Sequence, residues 1–337
     1  MATFTRRQPD RTPAVRRAFQ MAFILLNLWI GATFYLFVRY YETGGQSIQV
    51  NRPPGVEGWL PIAGLMNLKY AILTGRIPEV HPAAMFLLAA FIGISFLARK
   101  AFCSWLCPIG TISEWLWQGG REIFGRNVQA PRWLDIPLRS FKYLLLGFFG
   151  YAVASMTAED LRAFVFSPYG QIADVKMLNF FRHIGTTPAI VIAMLIVGSL
   201  AVKNLWCRSL CPYGALVGIA ALFSPARIRR EPDVCIDCEK CAKACPSLLP
   251  VDRLITVRSA ECTGCLECIA SCPAQGALRL AVGRSRAIPT WLVAAVIAAV
   301  FAGTVSLARL TGHWHSNIPD AMYRALVPAA GMMVHPE

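Results

Sequence analysis

Eight cysteines between residues 235 and 272 fall in two runs of one pattern. Cys235, Cys238, Cys241 and Cys245-Pro246 read C-x2-C-x2-C-x3-C-P, and Cys262, Cys265, Cys268 and Cys272-Pro273 repeat it 27 residues later. Thiolates at such spacing hold iron or zinc, or pair as disulfides. Three thiolates on a tight loop can wrap three irons of a cubane and leave the fourth iron to a ligand from elsewhere. Zinc sites usually pair two C-x2-C knuckles instead of setting three Cys in a row before Cys-Pro. Disulfides do not suit a cytoplasmic face, where thiols stay reduced. The pattern therefore favours iron–sulfur cubanes. Ile236, Ile255, Leu266, Ile269 and Leu278 are expected to shield them, although an ordinary core would use the same residues.

Four further cysteines form a second repeat. Phe102-Cys103-Ser104-Trp105-Leu106-Cys107-Pro108-Ile109-Gly110 recurs as Trp206-Cys207-Arg208-Ser209-Leu210-Cys211-Pro212-Tyr213-Gly214, offset by 104 residues. A basic residue, Arg99 or Lys203, precedes each first cysteine by four positions. Cysteines at i and i+4 would share one helix face. Proline disfavours helix in the residue before it and suits the first turn of the next. Cys107 and Cys211 are therefore expected at helix N-termini, where the dipole favours thiolate. Symmetry then gathers four sulfurs, those of Cys103, Cys107, Cys207 and Cys211. They are candidate ligands for a further iron–sulfur cluster or a metal, or a set of dithiols cycling with disulfide. Packing at a sharp helix break is the plain alternative, since free cysteine behaves as a small hydrophobe.

The elements that must position these residues are apolar. Of 337 residues, 55% are hydrophobic and 15% charged, against roughly 25% charged in a typical soluble domain. Mean hydropathy is +0.47. This excludes a disordered chain and argues against a soluble globular one. Five segments are expected to span a membrane: 18–38, 82–98, 141–157, 188–202 and 289–308. A spanning helix wants roughly 20 apolar residues, and Lys100, Lys142 and Lys203 are expected to extend the short ones by snorkelling. Segments 58–74 and 213–223 are expected as interfacial or re-entrant helices. Each copy of the second repeat then reads as helix in, C-x3-C-P-x-G, short apolar helix, and internal repeats are a common way to build a membrane unit.

Charge sets the orientation. The net charge is +14. With the N-terminus inside, the inner segments 1–17, 99–140 and 203–288, with the boundary residue Lys142, hold 24 of the 33 Lys and Arg but 11 of the 19 Asp and Glu, the bias of cytoplasmic loops. Arg6, Arg7, Arg11, Arg16 and Arg17 are expected to anchor the first span, and the residues beyond Arg309 fall outside. No cleavable leader is expected, because the first apolar run is long and no small-residue cleavage site follows it. This placement of charge leaves no call for a nucleic-acid partner.

Other residues carry weaker signals. His313-Trp314-His315 reads as an interfacial anchor more readily than as a haem or copper ligand set, and no C-x-x-C-H is present. His81 is expected to open the second span at the interface, with a quinone headgroup as the alternative. Trp105, Trp115, Trp117, Trp133 and Trp206 read as an aromatic belt, and Ser167-Pro168-Tyr169-Gly170 as a turn. No Walker A, G-x-G-x-x-G or Ser-His-Asp pattern has a convincing context, so no nucleotide or hydrolase site is expected.

The paired C-x2-C-x2-C-x3-C-P runs resemble the bacterial two-cluster ferredoxin. In that family the last Cys of each run serves the other cluster. The resemblance implies that Cys235, Cys238, Cys241 and Cys272 hold one [4Fe-4S] cluster, and Cys262, Cys265, Cys268 and Cys245 the second. With the paired C-x3-C-P motifs, roughly residues 18–280 resemble the NapH/MauN/NosR group, to which YccM-type proteins belong. The fold implied is a polytopic α-helical membrane protein with about five spans and a small α+β two-cluster ferredoxin-like domain on the cytoplasmic side. The expected division is 1–17 basic N-terminus, 18–224 membrane bundle, 225–284 ferredoxin domain, 285–308 last span and 309–337 extracytoplasmic tail.

The resemblance also implies electron transfer in a bacterial inner membrane. Donors and acceptors would be quinone, cytoplasmic carriers, a periplasmic c-type cytochrome or reductase and other membrane redox subunits, as in a quinol dehydrogenase. A metal-centre assembly factor such as a copper reductase, and a redox sensor, are the alternatives. Relative to this group the sequence adds the span at 289–308. It lacks the flavin-binding domain of NosR and the C-terminal extracytoplasmic domain of the copper-reductase relatives.

Overall fold

The computed structural model describes residues 5–6, 10–128, 131–283 and 286–333. Arg7 and the expected boundary at 284/285 lie outside them. In chain order the helices are α1 (Thr12–Glu42), α2 (Pro61–Thr74), α3 (Pro82–Leu97), α4 (Ala101–Trp105), α5 (Pro108–Phe124), α6 (Arg132–Ser155) and α7 (Ala158–Val165). There follow α8 (Pro168–Gln171), α9 (Ala173–Arg182), α10 (Thr186–Ala201), α11 (Pro212–Leu222), α12 (Lys240–Ala244), α13 (Glu267–Ala270), α14 (Trp291–Leu310) and α15 (Asp320–Leu326). The strands are β1 (Ala226–Arg230), β2 (Leu278–Val282) and β3 (Arg286–Ile288).

Local chemistry sets many of these ends. Pro61, Pro108, Pro168 and Pro212 each occupy a first helical turn, where the missing N–H costs nothing. Thr157 and Asp160 form a reciprocal capping box on α7. Gly75 and Gly125 close α2 and α5 in the left-handed conformation that glycine adopts without strain.

Among the described residues, α1 and α14 are long and apolar enough to cross a membrane. The count rises to four if the bent pairs α6–α7 (104°) and α9–α10 (79°) each make one span. The apolar helices α3 and α11 are shorter. The chain divides into two compact units: Met1–Ile24, Phe91–Leu146 and Ile192–Val300 in the first, and Leu25–Ala90, Gly147–Val191 and Phe301–Glu337 in the second. The chain passes between units at five places, and each falls inside a helix: α1, α3, α6, α10 and α14.

The first unit carries the three-stranded antiparallel sheet, in the order β1-β2-β3 with Ile228 opposite Leu280. Its interior is laced with ion pairs. Arg16 bridges Glu114 through both terminal nitrogens (2.6 and 2.7 Å) and reaches Glu267 at 2.7 Å. Lys142 Nζ bonds both oxygens of Glu261 at 2.6 and 2.7 Å. Lys203 Nζ donates to the Lys243 carbonyl. These residues correct two expectations. Arg16 is not a lipid anchor, and Lys100, Lys142 and Lys203 do not snorkel, because all four side chains are buried and three are held by partners within the protein.

The second unit packs the later half of α1 against α7 and the C-terminal segment. Phe34, Phe37, Val38 and Tyr41 meet Leu161, Val165, Tyr323 and Val327, with Phe37 edge-on to Tyr323 at 5.1 Å. The C-terminal stretch is thus part of a core. Beneath it lies a knot of buried charge formed by Arg52, Glu57, His81 and Asp174. His81 is 2% exposed, which overturns its reading as an interfacial histidine. Trp314 is buried too, with the Arg309 guanidinium over its ring at 5.9 Å.

Candidate cysteine centres

Each ferredoxin-like run begins on a loop and ends on one turn of helix. At Cys235–Cys241 the backbone turns left-handed at Asp237 (φ 48°) and Glu239 (φ 57°). At Cys262–Cys268 it does so at the matching positions, Gly264 (φ 61°) and Leu266 (φ 62°). Alternating hand turns successive N–H groups toward one side and makes a nest for an anion. Three of these four residues have a β-carbon and carry a real conformational cost, which such sites bear where the backbone must cradle a group.

The loops bring the cysteines together in two sets. Cys235, Cys238, Cys241 and Cys272 line one cavity, and Cys245, Cys262, Cys265 and Cys268 line a second. The last cysteine of each run therefore stands with the other run. The two centres differ in exposure. Cys238 is exposed and Cys235 and Cys272 are partly so, whereas all four cysteines of the second set are buried. Leu266, Ile269 and Leu278 are buried as expected; Ile236 is 48% exposed yet lines the first cavity, whereas Ile255 is 62% exposed and lines neither.

The donor set suits iron–sulfur clusters. Among the described residues no three His, Cys, Asp or Glu side chains converge on a point fit for one metal ion. A tetrahedral zinc would draw four sulfurs to within about 3.8 Å of one another, from a Zn–S bond of about 2.3 Å. A cubane spreads its thiolates over a larger body. The Leu249 N–H donates to Cys245 Sγ at 3.4 Å, the kind of bond that tunes a cluster. Burial pushes the Cys241 thiol up to about 11 and Cys265 to about 12, so loading must expel protons from these groups.

The second repeat builds a third set. Cys103 lies on α4, Cys207 in one π-helical turn (Trp206–Leu210), and Cys107 and Cys211 cap α5 and α11. Each pair is split by a break, so the expected shared face of one continuous helix is not formed. The four thiols nonetheless converge, every pair within electrostatic reach. The Gly214 N–H donates to Cys211 Sγ at 3.2 Å, and the Ile109 and Gly110 N–H groups serve Cys107. Burial still pushes the Cys107 thiol up to about 11 and Cys103 to about 12. The helix N-terminus does not produce a free thiolate at Cys107, which makes easy dithiol exchange a poor fit.

Both repeat glycines are forced by close approach. A β-carbon on Gly110 would lie 2.1 Å from the Cys103 carbonyl oxygen, and one on Gly214 3.3 Å from that of Cys207. Gly110→Ala is therefore expected to cost about 1–3 kcal/mol, as overpacking does, and to loosen the third set. Gly214→Ala should be milder. Thermal unfolding in detergent, with bound iron followed alongside, checks the ranking.

Ser104 and Trp105, between Cys103 and Cys107, join the third set to the second. Ser104 Oγ donates to the Thr263 carbonyl at 2.7 Å and Trp105 Nε1 to the Gly264 carbonyl at 3.1 Å, between Cys262 and Cys265. Gly264 sits so close that its β-carbon would lie 2.7 Å from the Ala98 carbonyl. The matching Asp237 faces outward, which explains why only one loop has glycine there. Trp105 and Trp117 are thus interior residues and not part of a belt, while Trp115 and Trp133 are exposed. Sequence reading missed the roles of Ser104 and Trp105. The available signal was their place within the motif.

Two loop-borne cysteine sets, with a third at helix ends in a chain carrying long apolar helices, define the class: a membrane polyferredoxin. Residues 80–131 and 184–231 match the family described as "4Fe-4S binding domain", and residues 227–273 match "4Fe-4S dicluster domain". The chain is 50% identical over 326 residues to "Putative electron transport protein YccM" of Escherichia coli (strain K12), covering 95% of this chain and 91% of that protein. It is 27% identical over 225 residues to "Ferredoxin-type protein NapH" of the same strain, covering 63% and 71%. Against "Protein NirI" of Paracoccus denitrificans identity is 26% over 226 residues, covering 64% of this chain but 31% of that one. No solved structure matches. The chain belongs to the membrane polyferredoxin family of YccM and NapH, and its role is iron–sulfur electron transfer.

Proposed function

We propose that the chain is the membrane relay of a quinol dehydrogenase. It exchanges electrons between the quinone pool or cytoplasmic donors and a periplasmic c-type cytochrome or reductase, alongside other membrane redox subunits. Cys235, Cys238, Cys241 and Cys272 would hold one [4Fe-4S] cluster, and Cys245, Cys262, Cys265 and Cys268 the other. Cys103, Cys107, Cys207 and Cys211 are the further cofactor site. Each cluster, when bound, stores and releases single electrons at a potential that its surroundings set.

The observation that carries this reading is the graded burial of the centres. One is open to a soluble carrier at Cys238. The next is enclosed and tied by hydrogen bonds from Ser104 and Trp105 to the motif at the ends of apolar helices. The chain's own residues exclude water from the inner centres and fix their separation. The proposed setting is the bacterial inner membrane, crossed five times by α1, α3, α6, α10 and α14. The excess of Lys and Arg in residues 1–17, 99–140 and 203–288 supports an N-terminus and ferredoxin domain in the cytoplasm and a C-terminus outside. The proposed division is 1–17, 18–224, 225–284, 285–308 and 309–337.

The test is reoxidation of the dithionite-reduced, anaerobically purified protein in liposomes. A short-chain quinone should restore the oxidised visible spectrum within seconds, and Cu(II) should act no faster. Clusters that stay reduced with quinone but reoxidise with Cu(II) would establish the copper-reductase reading instead.

A further inference from the structure

Lys100 is a buried cation outside both ferredoxin-like cysteine sets. It lies between α3 and α4 and is 2% exposed. The nearest carboxylate, Glu261, is already held through both oxygens by Lys142. The ammonium is within electrostatic reach of Glu261 and also of the thiols of Cys103, Cys207 and Cys211. A β-carbon on Gly214 would come within 3.5 Å of its Nζ, so the glycine also keeps space for this charge. In the second copy the equivalent residue is Asn204, whose Oδ1 faces Ser113 Oγ at 3.4 Å. The repeat is therefore unsymmetrical here, with a lysine in the first copy where the second has Asn204.

A buried ammonium whose neighbouring carboxylate is already neutralised by a second lysine costs several kcal/mol. Protonated thiols do not relieve that cost, and neither does a disulfide, because both are neutral. An iron–sulfur cluster bound by four thiolates carries net negative charge and does relieve it. Resting on the reading of these four cysteines as cofactor ligands, we infer that Lys100 is the counter-cation of an anionic four-iron cluster held by Cys103, Cys107, Cys207 and Cys211. It is a positioning residue. Its charge favours the more negative, reduced form of that cluster and so raises its potential.

The full-length protein, Lys100→Met and Lys100→Arg are purified without oxygen. Iron and acid-labile sulfide are counted, and the paramagnetic signals are titrated against potential. The expected wild-type content is about 12 Fe per chain, from three four-iron centres. In Lys100→Met one of three signals should move to lower potential or vanish with loss of about four Fe, while the two ferredoxin signals stay and report an intact fold. Lys100→Arg should keep all three near their wild-type potentials. A Lys100→Met protein with full iron and three unmoved potentials overturns the counter-cation but leaves the third cluster standing, as does loss of the third signal in both variants. About eight Fe in the wild type, enough for two cubanes only, overturns the cofactor reading itself, and the role of Lys100 with it.

Discussion

Cys245→Ser is expected to erase the centre of the run it does not belong to. Its Sγ lines the enclosed cavity with Cys262, Cys265 and Cys268, and the other members of its own run line the open one. The variant should lose up to about four Fe per chain, one cubane's worth, all from the enclosed centre. Cys272→Ser should do the reverse. The two are separable because Cys238 is exposed, so a membrane-impermeant oxidant such as ferricyanide should reach the open centre first. Reoxidation by quinone should fall to background in Cys245→Ser, since the enclosed centre stands beside the Ser104 and Trp105 bridge. Loss of the fast-reacting centre in Cys245→Ser would refute the crossed arrangement.

The cysteine sets were legible because their chemistry is local. A loop of seven residues fixes three sulfurs whatever surrounds it, and proline after Cys107 and Cys211 announces a helix start. The five expected spans coincide in position with α1, α3, α6, α10 and α14, but only α1 and α14 reach spanning length and composition unaided. Lys142 and Arg16 look like snorkelling cations because their acidic partners lie far away in sequence, at Glu261, Glu114 and Glu267. Trp105 looks like a belt residue until the Gly264 carbonyl is placed against its ring nitrogen. A pattern of hydropathy cannot distinguish a charge at a lipid boundary from one buried against a remote carboxylate. Ile255 failed in the opposite sense, since an apolar residue near the cysteine runs need not line a cavity.

Arg52→Met is expected to destabilise the second unit by about 3–5 kcal/mol at neutral pH, the usual cost of stranding a buried charge. The guanidinium bonds Asp174 Oδ2 at 2.7 Å, Glu57 Oε1 at 2.6 Å and His81 Nδ1 at 3.0 Å. His81 Nε2 faces the Gly170 carbonyl at 2.9 Å, so Nε2–H donates there and Nδ1 accepts from Arg52. The other oxygens are used as well: the Ala84 N–H serves Glu57 Oε2, and the Val175 N–H serves Asp174 Oδ1. With methionine in place, two wholly buried carboxylates lose their shared cation. The pH dependence separates this charge effect from lost packing. Burial alone would raise the Glu57 carboxyl, but the Arg52 guanidinium outweighs it and holds it below the ordinary carboxylate range. In the wild type that stabilisation is complete above the unfolded value of about 4.3 and is lost as pH falls through the lower folded value. In the variant burial dominates, the folded value rises above the unfolded one, and acid relieves the strain by protonation. The deficit, read as the difference in unfolding temperature in detergent, should therefore be widest at neutral pH and narrow toward pH 5. A gap that stays constant over that range would make Arg52 a packing residue and leave the knot without an electrostatic role.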